Sequence, residues 1–280
     1  MTGPLKRLAR DRAALVGLTV LGLLILAAIL APVLAPYPGD VADFHIERRL
    51  MPPSSAALLG TDRMGGDIFS RLLFGARATL LLSATAVGAA LLIGVPVGLV
   101  AGYYRNWVSE ALMRVSDIFL AVPQVVLAIA IGQTLGPSIE NVILALSLTY
   151  WPFWARLVYA ETRSMRNEIF IESAVALGAS PWRIMVLHIL PNIASPIIVR
   201  TTIGLGATIL TAATLGFLGL GAPPPAPEWG RMVAESRDYL PDAWWYSLAP
   251  GGAIFLTVLG FNLLGDGLRD ILDARTRRAG

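Results

Sequence analysis

The interpretation of the fold depends on one stretch of this chain, Glu172-Ser-Ala-Val-Ala-Leu-Gly-Ala-Ser-Pro-Trp-Arg-Ile-Met-Val-Leu-His-Ile-Leu-Pro191. A short helix is predicted over residues 168–177, because Asn167 is suited to cap it and acidic residues lie near the positive end of its dipole. Gly178 follows, and glycine readily takes the left-handed conformation that ends many helices. The first half of the stretch is therefore expected to be a helix with defined ends.

A second helix is predicted directly after that glycine. Ser180 is a favourable N-cap, and Pro181 stands at the first helical position, where its missing N–H would have no partner in any case. Arg183 projects from this helix, and Pro191 is expected to end it at the membrane edge. The two helices would form a hairpin over about residues 167–191, too polar to insert into a bilayer and too well capped to be a flexible loop.

The composition indicates that the rest of the chain lies in a membrane. The 280 residues are 55% hydrophobic and 15% charged, with a mean hydropathy of +0.66, whereas soluble domains carry about 25% charged residues. The pI near 9.5 is not attributed to nucleic-acid binding, because the basic residues stand beside apolar runs, as in the cytoplasmic loops of membrane proteins. No nucleic-acid partner is expected.

Six apolar runs are long enough to cross a bilayer. They are residues 13–31, 79–104, 118–135, 141–159, 193–221 and 244–265. The first run is too long for the apolar region of a cleaved signal peptide and has no Ala-x-Ala site near its end, so it is expected to be a retained anchor. The predicted fold class is an all-α membrane protein with six transmembrane helices.

The distribution of Lys and Arg predicts the orientation of these helices. With both termini in the cytoplasm, 15 of the 22 basic residues lie on the cytoplasmic side and 7 on the outer side. The opposite orientation would reverse this excess, against the positive-inside rule. Both termini, with Lys6, Arg7, Arg277 and Arg278, are therefore expected in the cytoplasm together with the hairpin.

The chain is expected to have two parts. Residues 1–78 would hold the first transmembrane helix and a long periplasmic loop, which ends in a short amphipathic helix at the membrane interface over Asp67–Arg77. Residues 79–280 would form a core of five transmembrane helices that carries the hairpin. Gly94, Gly98 and Gly102 recur at every fourth position and predict a close contact between two helices of this core.

The sequence provides no catalytic or nucleotide-binding motif. It lacks a Gly-x4-Gly-Lys-Ser/Thr loop for ATP, it has no cysteine, and its two histidines cannot build a metal centre or a catalytic triad. Uncharged polar residues within the predicted spans are candidates for lining a translocation pathway, although some of them will bond across helices instead. The candidates are Gln124, Gln133, Ser147, Thr208, Thr211 and Asn262.

The hairpin resembles a signature of ABC importer permeases, Glu-Ala-Ala-x3-Gly-x9-Ile-x-Leu-Pro, in which a coupling helix docks into a groove on the ATPase subunit. Glu172, Gly178 and the Leu190-Pro191 pair match it, whereas Ser173 replaces an alanine and His188 an isoleucine. The resemblance implies that the hairpin couples this chain to an ATPase. The residues implied in coupling are Glu172, Ser173, Ala174, Gly178, Ala179, Ser180, Pro181 and Arg183.

Three further blocks, together with the His-Ile-Leu-Pro-Asn ending of the signature, resemble the peptide/nickel branch of these permeases. Residues 59–67, Leu-Gly-Thr-Asp-Arg-Met-Gly-Gly-Asp, are similar to a segment of the dipeptide and oligopeptide C-type permeases, with Gly66 where arginine is usual. Residues 217–230 and 261–270 are also similar to that group. The blocks occur in the same order, and the resemblance covers nearly the whole chain.

The resemblance implies a type I ABC importer permease for dipeptides or oligopeptides in a bacterial or archaeal cytoplasmic membrane, the inner membrane if the cell is Gram-negative. Implied partners are a second homologous permease, two ATP-binding subunits that hold ATP and Mg, a periplasmic or lipid-anchored binding protein, and membrane lipid. This chain itself would need no cofactor. A nickel or other small-solute importer is the alternative within the family. An ion-coupled secondary transporter and a non-transporting scaffold are alternatives of other classes.

Overall fold

The structure is a computed structural model that describes residues 11–276 apart from residues 42 and 44. The regular elements of this described part are helices, and the predicted all-α class is confirmed for it. They are α1 (Arg12–Ile29), α2 (Ala31–Leu34), α3 (Ile68–Tyr103), α4 (Trp107–Ala121), α5 (Gln124–Leu135), α6 (Ile139–Met165), α7 (Ile169–Ala176), α8 (Pro181–Arg183), a π-helical segment (Ile184–Ile189), α9 (Leu190–Asn192), α10 (Ala194–Phe217), α11 (Trp229–Ser236) and α12 (Trp244–Thr276), with 3-10 turns at Pro38–Val41, Ile46–Arg48 and Arg237–Tyr239.

Within the described residues, five helices are long and apolar enough to cross a membrane, namely α1, α3, α6, α10 and α12. The third predicted span, residues 118–135, is not one continuous helix. It is part of the pair α4 and α5, which together pass the same test but meet at 89°. Pro123 explains the break, because proline donates no hydrogen bond and holds Val122 in an extended conformation with φ −93° and ψ 133°.

The second span begins earlier than the sequence predicts. Asp67 caps α3, since its Oδ2 accepts the backbone N–H of Ser70 at 2.8 Å, and the helix continues without a break to Tyr103. The prediction of a separate interfacial helix over Asp67–Arg77 is therefore wrong. With 36 residues, α3 is about 54 Å long and exceeds a hydrocarbon core of about 30 Å. Residue 78, the proposed division of the chain, lies inside it.

The glycine ridge on α3 packs against α6, as predicted. A Cβ at Gly94 would lie 2.5 Å from the carbonyl oxygen of Trp151, and one at Gly98 would lie 2.6 Å from that of Ala155. One turn further on, Gly102 is equally close to α6. Only residues without a side chain allow two backbones to approach this closely, so the ridge fixes how α3 and α6 pack.

Two segments form a cap at the end of the bundle where α3 begins: residues 45–67 and residues 228–239. The buried Arg71 joins them, because its Nη1 lies 2.6 Å from Asp62 Oδ2 and its Nη2 lies 3.6 Å from Glu235 Oε2. Each charge therefore has an opposite charge beside it, as a buried ion requires. The two segments are fixed to each other and to the first turn of α3.

The predicted orientation rests in part on residues outside the described range. Lys6, Arg7, Arg277 and Arg278 lie in the terminal segments 1–10 and 277–280, which the structure does not describe. Within the described range, the cap and the hairpin lie at opposite ends of α3. Ile68 packs in the apolar cluster of the cap, whereas Leu99 and Tyr103 pack in that of the hairpin.

Candidate coupling site and translocation pathway

The first helix of the hairpin is α7, and its N-cap is Glu168. The expected cap, Asn167, is one residue too early. Its side chain is used elsewhere, since Asn167 Oδ1 accepts a hydrogen bond of 2.7 Å from Arg105 Nη2. Glu168 makes no capping bond through its own side chain. The bond from Arg105 ties the start of the hairpin to the turn that connects α3 with α4.

Gly178 ends α7 in the manner predicted. Its φ is +81°, in the left-handed region that favours glycine. Its N–H donates to the carbonyl of Val175 at 2.9 Å, and the N–H of Ala179 donates to that of Ala174 at 3.1 Å. These two bonds form a Schellman motif, which satisfies carbonyls that a helix end otherwise leaves unpaired. The corner of the hairpin is therefore closed by backbone geometry.

Ser180 caps the second arm, as predicted, with its Oγ accepting the N–H of Arg183 at 3.4 Å. The prediction that Pro191 ends this arm is wrong. Pro191 lies in the first turn of α9, where proline is tolerated, and only Ile193 interrupts the helical conformation before α10 begins. The second arm therefore leads almost directly into a membrane-spanning helix.

The inner side of the hairpin is buried against the ends of α3 and α6. Ile171 from the first arm and Ile184 and Ile189 from the second are at most 1% exposed, and they share one apolar cluster with Leu99 and Val158. Burying an aliphatic side chain stabilises a fold by about 1.5–3 kcal/mol. Several such side chains fix the hairpin on the bundle as one body.

The outer side of the hairpin is apolar but exposed. Leu177 is 89% exposed, Ile169 is 81% exposed and Trp182 is 68% exposed. Glu172 is also exposed, and its carboxylate has no hydrogen-bond or ion-pair partner among the residues that the structure describes. Large apolar side chains grouped on a polar surface are typical of a protein–protein contact.

The other residues implied in coupling lie on the same hairpin. Ser173 Oγ donates to the carbonyl of Ile169 at 2.8 Å, so its hydroxyl is satisfied within α7. Pro181 and Arg183 are exposed, whereas Ala174 and Ala179 are half-buried at the corner. The hairpin thus brings all eight residues into one small structural unit.

The six pathway candidates occupy different environments. Ser147, Thr208 and Thr211 are buried, and each hydroxyl donates to a carbonyl one turn earlier in its own helix. Gln133 and Asn262 are exposed. Gln124 follows the bend between α4 and α5, and its Nε2 is buried without a partner among the described residues. No hydrogen bond in the described part of the chain joins any of the six to another.

Sequence reasoning missed an ion pair within the spans. Asp117 of α4 and Arg156 of α6 lie in direct contact, Oδ1 to Nη2. Asp117 stands one residue before the predicted third span, and Arg156 lies inside the predicted fourth span. The available signal was therefore a charged residue within or directly beside an apolar run.

A second missed residue is Glu228, which caps α11. Its carboxylate accepts the N–H groups of Gly230 at 2.8 Å and Arg231 at 3.1 Å, and its side chain packs directly on Gly216. Burial raises the pKa of Glu228 from 4.5 to about 6, although these hydrogen bonds and the nearby Arg231 guanidinium oppose the rise. The residue fixes the cap on the end of α10.

Comparison with known proteins identifies the family. Residues 94–278, more than half of the chain, match the family described as binding-protein-dependent transport system inner membrane component. This chain belongs to that family. The permease also matches, over residues 5–53, the N-terminal TM domain of oligopeptide transport permease C. The family resemblance predicted from the signature is confirmed.

Curated relatives cover nearly all of the permease. It is 46% identical to the dipeptide transport system permease protein DppC of Alkalihalophilus pseudofirmus over 97% of this chain and 89% of the relative. It is 41% identical to the probable D,D-dipeptide transport system permease protein DdpC of Escherichia coli over 91% and 85%. It is 44% identical to the glutathione transport system permease protein GsiD of Pectobacterium atrosepticum over 97% and 90%.

Solved structures agree on the fold of the permease. Chains of the methionine ABC transporter MetNI, in two crystal forms with inward-facing conformations, match with TM-scores of 0.56 and 0.57. The identity is 21% in both cases, over 72% and 73% of this chain and 95% and 97% of the solved ones. The permease is therefore an integral membrane subunit with an ABC importer permease fold.

Proposed function

We propose that this permease forms one half of the translocation pathway of an ATP-driven importer for dipeptides or oligopeptides. The other half would be a second homologous permease. The relatives above are named for a dipeptide, a D,D-dipeptide and glutathione, which share peptide-like amide bonds and free charged groups. This range of names favours peptide cargo over nickel or another small solute.

One observation carries the proposal, namely that the hairpin is a rigid body continuous with a span. Its corner is closed by the Gly178 bonds, its inner side is buried, and its second arm leads through Ile193 into α10. A displacement of the hairpin would therefore move α10 instead of being absorbed by a loop. Such levers convert closure of an ATPase pair into a change between outward-facing and inward-facing states.

The exposed side of the hairpin is the proposed ATPase contact. Ile169, Leu177 and Trp182 would enter an apolar groove on an ATP-binding subunit, and Glu172 would pair with a basic group at its edge. Aromatic and aliphatic side chains of this kind provide most of the binding energy of interfaces. Two ATP-binding subunits, one for each permease, would hold ATP and Mg, and the permease itself would use no cofactor.

The proposed orientation places the hairpin in the cytoplasm and the cap on the outer side of a bacterial or archaeal cytoplasmic membrane. Residues 1–78 would then supply the first span and most of the cap, and residues 79–280 the core. The cap would receive a periplasmic or lipid-anchored binding protein. Ion pairs between its two segments favour this role, because a receptor surface must keep its shape when a partner docks.

The experiment is reconstitution in lipid vesicles with the second permease, the ATP-binding subunits and the binding protein. Dipeptide uptake should require ATP and the binding protein, and it should continue in the presence of proton and sodium ionophores. Uptake driven by an ion gradient without the ATP-binding subunits would overturn the proposal in favour of a secondary transporter. Uptake of nickel with no uptake of peptide would overturn the cargo assignment alone.

A matched pair of variants tests the contact. Trp182→Ala should reduce the amount of ATP-binding subunit that stays with the purified permease, because it removes the largest exposed side chain of the hairpin. Trp244→Ala removes another exposed tryptophan, at the cap end of α12, and should have no such effect. Equal retention in both variants would exclude the hairpin as the contact.

A further inference from the structure

Three charged side chains from three helices lie on or against one stretch of α6, residues 153–156. The Asp117 carboxylate of α4 is paired with the Arg156 guanidinium of α6. On α10, the Arg200 guanidinium carbon lies 5.4 Å from the centre of the Phe153 ring, one turn before Arg156. No carboxylate within the described range pairs with Arg200, so the group carries a net positive charge.

These charges lie well inside their helices, of which α6 and α10 are each long and apolar enough to cross a membrane and α4 is so only together with α5. Asp117 is ten residues from the start of α4 at Trp107, and Arg156 is nine residues from the end of α6 at Met165. At 1.5 Å per residue, these positions are about 15 Å and about 14 Å inside the two helix ends. Arg200 is six residues, or about 9 Å, inside the start of α10 at Ala194.

The charged side of α6 is the side that does not pack against α3. Trp151, Ala155 and Val158 of α6 face the glycine ridge or the core next to it and are buried. In contrast, the side chains of Arg156 and Asp117 are 41% and 38% exposed. The ion pair is therefore on the open side of the subunit, and it does not belong to its internal packing.

Lipid is an unsuitable environment for this group. Charged residues inside membrane proteins almost always face the bundle interior or a water-filled cavity, because contact with hydrocarbon is unfavourable. The pair also contributes little to the stability of the fold, since half-exposed ion pairs are weak. A water-filled pathway between this subunit and a second permease would keep the charges away from hydrocarbon. It would also give the ion pair a role other than stabilising the fold.

We propose that Asp117, Arg156 and Arg200 form a binding site for the two charged termini of a peptide in the translocation pathway. The inference rests on the proposed function and adds to it a site for the class of cargo. Arg200 and Arg156 would hold the carboxylate of the peptide, and Asp117 would hold its ammonium group. The internal pair would open as the peptide enters, which exchanges one ion pair for two and leaves no charge unpartnered in the pathway.

The test uses the complete transporter in vesicles with saturating peptide-loaded binding protein, and it measures dipeptide uptake together with ATP hydrolysis. Arg200→Gln and Asp117→Asn should lower uptake by roughly tenfold or more, the loss expected for one charge-assisted hydrogen bond. ATP hydrolysis stimulated by the binding protein should stay within about twofold of wild type, since the coupling hairpin is intact. Arg200→Lys, which keeps the charge, should restore most of the uptake.

Arg114→Gln is the matched control, because Arg114 is an exposed arginine of α4, and its uptake should equal that of wild type. Unchanged uptake in Arg200→Gln and Asp117→Asn would overturn the inference. A parallel loss of uptake, hydrolysis and the second permease would also overturn it, since the residues would then be subunit contacts. A wild-type complex that transports no peptide would instead remove the proposed function, and this inference with it.

Discussion

Replacing Gly178 with alanine is the sharpest perturbation of the coupling hairpin. Gly178 has a φ of +81°, and a Cβ added there would meet no heavy atom within 4 Å. The cost of Gly178→Ala is therefore backbone strain alone, about 1–2 kcal/mol for a residue with a side chain in the left-handed region. That cost shifts the balance between the closed and the opened corner by a factor of roughly 5 to 30.

The expected result is a coupling defect in a folded protein. The purified Gly178→Ala permease should retain less ATP-binding subunit and should transport less peptide for each ATP hydrolysed. Gly178→Asn should be milder, because asparagine enters the left-handed region more easily than alanine. Retention is measured by quantitative co-purification, and coupling by uptake and phosphate release in the same vesicles.

The chain contains a control for this variant in Gly219. It has a φ of +82° and open space around its Cβ, and it ends α10 with the same pair of backbone bonds that Gly178 makes at the end of α7. Gly219→Ala therefore carries a similar backbone cost at the far end of α10. Equal loss of coupling in both variants, or no loss in either, would refute the reasoning.

Three other outcomes are expected. Glu172→Lys should lower retention of the ATP-binding subunit while thermal unfolding shows a change of at most about 1 kcal/mol, since the exposed carboxylate has no partner within the described range and loses only its favourable position in the first turn of α7. Gly98→Ala should destabilise the permease in detergent by about 1–3 kcal/mol through overpacking against α6, whereas Gly88→Ala, with nothing within 4 Å, should be neutral. Because the pKa of Glu228 is raised from 4.5 to about 6, the folded protein binds this proton more tightly than the unfolded chain. Wild-type stability should therefore increase by up to about 2 kcal/mol as the pH falls from about 6 to 4.5, and thermal unfolding of Glu228→Gln should lose this dependence.

Local rules predicted the corner of the hairpin well. The Gly178 end of α7 and the Ser180 cap follow from the conformational preferences of those residues, which need no information from the rest of the chain. The contact made by the glycine ridge of α3 could also be predicted from the sequence, because a residue without a side chain at every fourth position allows two helix backbones to approach closely.

Helix continuity was harder to predict, because hydropathy records where apolar residues occur and not where helical hydrogen bonding stops. The start of α3 was assigned to a separate helix, since its first turns are less apolar than its centre. Pro191 was taken as a stop, although a proline in the first turn of α9 is compatible with continued helix. Pro123, in contrast, breaks a run that looks uninterrupted in hydropathy.

The candidate pathway depends on contacts between residues that are far apart in the chain, and these contacts could not be predicted from the sequence. Asp117 and Arg156 are 39 residues apart, and nothing local indicates that they meet. The scarcity of acidic residues in the predicted spans argues against an ion-coupled secondary transporter, which is expected to have ionisable residues or broken helices near the bilayer midplane. The described part of the structure nevertheless contains an ion pair and a bent pair of helices. Membership of the family, and not that argument, now separates the two classes.

Cross-linking from the hairpin tests the central claim most directly. The permease has no cysteine, so Leu177→Cys introduces a single thiol at the most exposed apolar residue of the hairpin. Ile46→Cys introduces a single thiol in the cap. In the assembled transporter, a short thiol-reactive photo-cross-linker at position 177 should capture an ATP-binding subunit, and the same reagent at position 46 should not. Capture from position 46, or no capture of an ATP-binding subunit from position 177 in an ATP-hydrolysing complex, would contradict the assignment of the hairpin as the coupling element.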